Sequence, residues 1–251
     1  MFILLVNDDG IDSIGLRVLL KAAVKRGHRV MVCAPAEQQS AASQRIHLNA
    51  PIMVHRRSDI EGCEAWAISG TPADCVRLAY ELSDEKPDVC FSGINDGENA
   101  GSAVFYSGTV SAAREAAMHL TPAYAVSIMP GWTEEMLEAL AERSLDIAER
   151  NVLTSYPRLS VVNINAPALP PAEWKGPRFC PVSQAFYHDS YVRRISPRGR
   201  EYFWIDAGLP MDEPEPGSDY DLLRKGYLTV SVIGGYADLN GQAEKFLNIG
   251  V

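Results

Sequence analysis

"MFILLVNDDGIDSIGLRVLLKAAVKRGHRVMVCAP" (residues 1–35) is the stretch that decides the fold. Its first six residues are apolar without polar alternation, the pattern of a strand buried on both faces. From Ser13 to Gly27 apolar residues recur every three and four positions, which predicts a helix with Lys25 and Arg26 in its last turn and Gly27 as a left-handed cap. "HRVMVCAP" (28–35) returns as a second strand, stopped by Pro35. A strand, a helix and a strand in such a short span make a right-handed βαβ unit, and hence a parallel sheet covered by helices on both faces.

The alternation continues along the chain. "EAWAIS" (64–69) reads as a strand, and "TPADCVRLAYEL" (71–82) as a helix with Thr71 as N-cap and Pro72 in the first turn. "PDVCFSGI" (87–94) is the next strand, followed by a helix over 107–120 and a strand over 123–129. Thr133 caps a long helix whose first turn carries Glu134 and Glu135, and "RLSVVNINAP" (158–167) reads as the last core strand. Beyond residue 168 the pattern changes: "YVRRISPRGREYFWID" (191–206) is a hairpin with no helix to cover it. A lone two-stranded ribbon is marginally stable in water, so this hairpin is expected to pack on another part of the molecule or on a second subunit.

Composition narrows the function classes. With 47% hydrophobic and 22% charged residues the chain is a folded protein, and its net charge of −9 with pI near 5.1 argues against broad, non-specific nucleic-acid binding. The apolar N-terminal run is too short for a signal peptide or a membrane span, so a cytoplasmic protein is expected. The five cysteines form no C-x-x-C pair, and Cys33 and Cys90 lie inside apolar runs, which reads as buried free thiols in a reducing compartment.

In an open α/β sheet ligands bind beyond the carboxyl ends of the strands, where strand order reverses. Asp8 and Asp9 follow the first strand, Ser40 lies in the loop after the second, and Asn95 follows "DVCFSGI"; a doubly wound order brings all four to one crevice. Adjacent carboxylates repel unless a positive charge stands beside them, and Asp, Ser and Asn oxygens suit Mg²⁺, Mn²⁺ or Ca²⁺ rather than Zn²⁺. The alternative is that Asp8 and Asp9 only start a turn through backbone hydrogen bonds. "SGINDGENAGSAVFYSGTVSAAREAA" (92–117) adds a second signal: Gly93, Gly97 and Gly101 permit close backbone approach to a ligand, and Ser107, Gly108 and Thr109 open a helix whose free N–H groups and dipole suit a phosphate. The stretch is neither a Walker A loop nor a dinucleotide fingerprint, and an ordinary Ser-capped helix is the alternative.

These residues, with "ILLVNDDGID", "APAEQQSAAS", "SGTPADCVRLA" and "GYLTVSV", resemble the SurE family of stationary-phase survival proteins, metal-dependent 5'-nucleotidases. The resemblance is specific over the first 120 residues and weak from 130 to 220. It implies an α/β fold, a Rossmann-like doubly wound, mostly parallel sheet with a C-terminal β-hairpin extension. It implies one domain over 1–251, with a core over about 1–167 and an arm over about 168–251 that exchanges between subunits of a homodimer or homotetramer. By the family pattern one divalent ion per subunit, Mg²⁺ or Mn²⁺ with Ca²⁺ able to take the site, falls on Asp8, Asp9, Ser40 and Asn95, and the phosphate on Asn99, Ser107, Gly108 and Thr109. One departure stands out: the family has Ser-Gly where this chain has Ser40-Ala41, and alanine disfavours a positive φ.

The expected chemistry is hydrolysis of phosphomonoesters, with nucleoside 5'-monophosphates foremost and 3'-monophosphates and short polyphosphate as further substrates. The metal lowers the pKa of a bound water, Asp8 and Asp9 are the catalytic carboxylates with Asp9 orienting or deprotonating that water, and Ser107 to Thr109 with Asn99 stabilise the phosphoryl oxygens. A covalent aspartyl-phosphate route is disfavoured by the missing D-x-D spacing, and a serine hydrolase by the missing G-x-S-x-G elbow and the unpatterned His28, His47, His55, His119 and His188. A nucleotide-binding sensor without turnover and a nucleotide-sugar transferase remain as other classes. Arg193, Arg194 and Arg198 on the hairpin read as solvated charge.

Overall fold

The computed structural model describes residues 1–151, 159–206 and 212–234. Its strands are β1 (Phe2–Val6), β2 (Arg29–Pro35), β3 (Val54–Arg56), β4 (Glu64–Ile68), β5 (Val89–Asp96), β6 (Ala123–Ile128), β7 (Val161–Ala166), β8 (Lys175–Phe179), β9 (Ser190–Ile195), β10 (Glu201–Asp206) and β11 (Tyr227–Ile233). Nine of them form one sheet in the order β3-β4-β2-β1-β5-β6-β7-β11-β8, while β9 and β10 pair separately. The run β4-β2-β1-β5-β6-β7 is parallel throughout. Its order reverses between β1 and β5, which is the doubly wound arrangement with its switch point beside Asp8 and Asp9.

Successive residues of β1 serve opposite cores. Ile3 and Leu5 point into a cluster with Leu16, Leu19 and Ala23 of α1 (Ile14–Lys25), while Phe2, Leu4 and Val6 point into one with Val76 and Ala79 of α2 (Pro72–Leu82). A short α3 (Ala103–Tyr106) leads into α4 (Gly108–Met118), which joins α2 on its face. α5 (Glu134–Asn151) joins α1 on the other, where Arg26 binds Glu142, Asp146 and Glu149. The expected caps are present: Gly27 has φ +78°, Thr71 and Asp74 form a reciprocal capping box, and Thr133 Oγ1 accepts from Met136 N–H. Cys33 and Cys90 are buried free thiols.

The sheet does not end at β7. A last helix, α6 (Asp219–Arg224), delivers β11 antiparallel to β7, from Thr229 opposite Asn165 to Ile233 opposite Val161, and β8 adds parallel to β11. Local pattern reveals a strand but not its partner, and β8, "KGPRF", is exposed along its whole length with no apolar periodicity to mark it. The hairpin of β9 and β10 turns at Gly199, φ +75°, and every residue of both strands is exposed. Of the arm expected over 168–251, residues 207–211 and 235–251 lie outside the described residues. Among the described residues no helix is long and apolar enough to cross a membrane.

Gly15 sets how closely α1 approaches the sheet. A Cβ there would lie 2.1 Å from the carbonyl oxygen of Ile94 in β5, a backbone atom that cannot swing aside. Helix propensity favours alanine over glycine by about 1 kcal/mol, so the sign of Gly15→Ala separates propensity from packing. The variant is expected to lose about 1–3 kcal/mol in urea unfolding, the cost of overpacking.

Candidate functional site

The turn after β1 is closed by Asn7, whose Nδ2 donates to Gly10 O (2.8 Å) and to Ser13 Oγ (2.7 Å). The two aspartates are therefore not consumed by their own turn. The carboxylate of Asp8 accepts the hydroxyl and the backbone N–H of Thr109 at the start of α4. Asp9 reaches β5, accepting from Asp96 N–H (3.1 Å), with Gln38 Nε2 at 3.4 Å. Only glycine fits at position 108, because a Cβ there would stand 2.7 Å from Cβ of Asp8. Burial pushes the Asp8 carboxyl up to about 6 against the opposing Thr109 hydroxyl bond, and the Asp9 charge adds to the rise. Asp9 is raised too, by burial first, with Asp96 N–H opposing and the Asp96 charge adding.

Asp8, Ser40, Asn95, Asn99 and Ser107 meet in a cavity of about 270 Å³ at the carboxyl edge of the sheet. Asp96, Tyr106, Phe186, Tyr187 and Asp189 also line it, and among the described residues no Lys, Arg or His does. Thr109 is fully buried behind Asp8 and does not face the cavity, and Gly108 is likewise buried. A larger groove of about 630 Å³ flanks α1 beside residues 59–62, but none of the strand-tip groups reaches it.

Hydrogen-bond direction tells what each lining group offers. Ser107 Oγ accepts from Val110 N–H (3.0 Å) as the N-cap of α4, so its own proton remains for an anion in the cavity. Asn95 Nδ2 donates to Gly97 O (2.6 Å), leaving its amide oxygen as the atom available to a cation. Asn99 is held from behind: its N–H donates to Asn165 Oδ1 (2.7 Å), its carbonyl accepts from Asn163 Nδ2 (2.7 Å) and Asn165 Nδ2 (3.2 Å), and one amide proton goes to Ser127 Oγ (2.8 Å). Its second amide proton is left for a ligand. Asn163 and Asn165 were not among the sequence candidates, although two asparagines at i and i+2 in an otherwise apolar strand do mark one polar face.

Gly93 serves packing against β6, while Gly97 has room around it and takes φ +121°. A Cβ on Gly93 would lie 2.2 Å from Val126 O of β6, Gly101 abuts Ala185 and Ser183, and none of Gly93, Gly97 and Gly101 lines the cavity. Ala41 takes φ +57° in the loop that presents Ser40, so the left-handed turn forms without the glycine. The far wall is supplied by the arm. Asp219, fully buried, accepts from Ser183 N–H (2.9 Å), Gly101 N–H (3.2 Å) and Tyr220 N–H (2.7 Å), joining the arm to the loop after β5. Tyr220 donates its hydroxyl to Glu98, and Tyr187 lies 2.8 Å from that hydroxyl. His28, His47 and His188 bond Glu149, Asp74 and Asp212, His119 stacks on Tyr80, and Arg193 pairs with Glu201 on the hairpin.

Two stability measurements follow from this geometry. Ala41→Gly relieves the left-handed alanine and is expected to raise stability by up to about 1 kcal/mol. Asp8 ionises less readily folded than unfolded, so the metal-free fold loses stability as pH rises from about 4 through about 6. Asp8→Asn is therefore expected to stabilise the metal-free protein at pH 7, by on the order of 3 kcal/mol at most, with the gain vanishing near pH 4. Thermal unfolding of both proteins across that range reads the difference.

Comparison with known proteins agrees with this architecture. The family model described as survival protein SurE matches residues 3–189. A 5'-nucleotidase SurE of Solidesulfovibrio magneticus is 44% identical over 232 residues, 92% of this chain and 90% of the relative. One of Thermosipho africanus is 37% identical over 234 residues, 93% of this chain and 91% of that protein. The crystal structure of SurE protein from Aquifex aeolicus superposes with a TM-score of 0.80 at 31% identity and covers 98% of each chain. With a match running from β1 into the arm and relatives aligned over nearly its whole length, this chain belongs to the SurE family.

Proposed function

We propose that this protein is a divalent-metal-dependent 5'-nucleotidase that releases phosphate from nucleoside 5'-monophosphates. The observation that carries the reading is the charge of the cavity. Among the described residues Asp8, Asp96 and Asp189 line it and no cationic side chain does, yet Ser107 and Asn99 each present a spare proton to an anion there. An anionic phosphate enters such a site only with a cation beside it. The names of the SurE relatives support the same activity.

The donor set fits a hard cation. Among the described residues no group of three or more His, Cys, Asp and Glu gathers as a metal cluster, so the site depends on two carboxylates, Asp8 and Asp9, with the neutral oxygens of Ser40 and Asn95. Oxygen donors of this kind suit Mg²⁺ or Mn²⁺, one per subunit. When bound, the ion supplies charge for the phosphoryl oxygens and a lowered pKa for water. The chain's residues do the rest. Thr109 holds Asp8 in place, Asp9 with its raised pKa receives the proton of the attacking water, and Ser107 and Asn99 donate to the phosphoryl oxygens as negative charge builds there.

The same reading covers 3'-monophosphates and short polyphosphate, a cytoplasmic location consistent with five free cysteines, and a homodimer or homotetramer in which the arm over about 168–251 exchanges between subunits, so that its exposed hairpin packs on a second subunit. The test is phosphate release by chelator-treated protein from a panel of nucleoside monophosphates, with Mg²⁺, Mn²⁺, Ca²⁺ or none. Release is expected to need Mg²⁺ or Mn²⁺ and to fall at least about 100-fold in Asp9→Asn. Metal-independent release, or an unchanged variant, would remove the aspartate pair from the mechanism; binding without release would make the protein a sensor.

A further inference from the structure

The cavity has two chemically different kinds of lining. The strand-tip oxygens and Ser107 supply one; aromatic side chains supply the other, among them Tyr106 and Phe186, which are 56% and 46% exposed. Rings this open to water are commonly free to move, but the backbone that carries these two is tied down. Phe186 N–H donates to Asp212 Oδ2 (3.2 Å) while Asp212 N–H donates to Phe186 O (3.1 Å). The Phe186 ring meets His188 edge-on with centroids 6.1 Å apart, and His188 Nε2 is itself 2.7 Å from Asp212 Oδ1. Ser43 N–H donates to Tyr106 O (3.0 Å) and Ser43 Oγ to Phe105 O (2.8 Å), which locks α3 to the loop bearing Ser40.

Pre-positioned aromatic rings lining a polar cavity suit a flat, partly apolar ligand, because stacking then costs little ordering. Tyr106 directly precedes Ser107, so its ring is carried one residue, about 3.8 Å along the chain, from the proposed phosphate contact. We propose that Phe186 and Tyr106 are the specificity-determining residues that receive the nucleobase of the substrate. This rests on the reading of Ser107 as a phosphate contact and adds which side chains select for a base. The occupant is a base rather than an alkyl or sugar group because both of these lining residues carry aromatic rings, on which any of the four bases stacks without regard to its hydrogen-bonding edge.

The test compares adenosine 5'-monophosphate with ribose 5-phosphate, which keeps the phosphate and sugar but lacks the base. Calorimetric titration in Mg²⁺ of the wild-type protein, Phe186→Ala, Phe186→Tyr and Tyr106→Ala gives the affinity ratio of the two ligands, and phosphate release is followed in parallel. The ratio is expected to fall about tenfold in each alanine variant and to recover in Phe186→Tyr, since one base stacked on an aromatic ring is worth roughly that factor. A general loss of structure weakens both ligands together and leaves the ratio unmoved, which overturns the proposal, as does a wild-type protein that binds both ligands equally. Binding that depends on Phe186 without phosphate release keeps the base slot and refutes the hydrolase. Release from both compounds with an unmoved ratio keeps the hydrolase and refutes the slot.

Discussion

The contact between Asp8 and the first turn of α4 is the constraint on which the carboxyl edge of the sheet depends. A carboxylate at a buried strand tip is tolerable only with donors around it, and Thr109 supplies two, its hydroxyl and its N–H. The contact closes because residue 108 has no side chain. It also determines where Ser107 stands, since the N-cap precedes that glycine, and so it brings the Ser107 hydroxyl to the cavity that the Asp8 carboxylate lines. The cost shows in the raised pKa of Asp8: the fold holds a group whose ionised form it disfavours. Local destabilisation retained at a site is the usual mark of use rather than of architecture.

Behind the lining residues lies a layer of amides. Asn99 is fixed through its N–H, its carbonyl and one amide proton by Asn163, Asn165 and Ser127, side chains of β6 and β7 whose strands are otherwise apolar. Among the described residues Asn163 Oδ1 is left without a partner, but the other bonds of the layer hold the backbone of Asn99 on both sides and one of its amide protons, so the side chain that faces the cavity has little freedom to turn. The rigid sheet thereby sets the aim of a loop residue.

Most of the parallel core could be read directly from the amino-acid order, because the patterns concerned are local. The run Ile3 to Val6, the three-four spacing of α1 and the capping pair Thr71 and Asp74 need no knowledge of distant chain. Of the strand-tip candidates Asp8, Asp9, Ser40 and Asn95 that followed from topology, Asp8, Ser40 and Asn95 line one cavity, and Asp9 is not among its lining residues. What stayed hidden is non-local. Nothing in "SQAFYHD" announces that Phe186 and Tyr187 will wall a cavity opened by loops about eighty residues earlier, and nothing in "SDYD" announces that Asp219 will bond Gly101. Glycine was misread for the same reason: Gly93 looks like a ligand-facing residue until β6 is seen against it. Ala41 taught the converse, since a residue that disfavours the left-handed region occupies it once the loop around it leaves no alternative.

The position of β11 has a consequence for how the chain is made. It pairs antiparallel with β7 and, among the described residues, is the only strand that connects β8 to the rest of the sheet. About sixty residues separate the end of β7 from the start of β11. At a ribosomal rate of about 5–20 residues per second, β7 therefore waits about 3–12 s after its own synthesis before the strand that pairs with it has been made. For that interval a six-residue strand, fully buried in the finished protein, keeps one edge of unpaired N–H and C=O groups beside fresh apolar surface. The nascent chain is thus most exposed to wrong pairing late in translation, when the parallel core is already complete and only its last edge is still open.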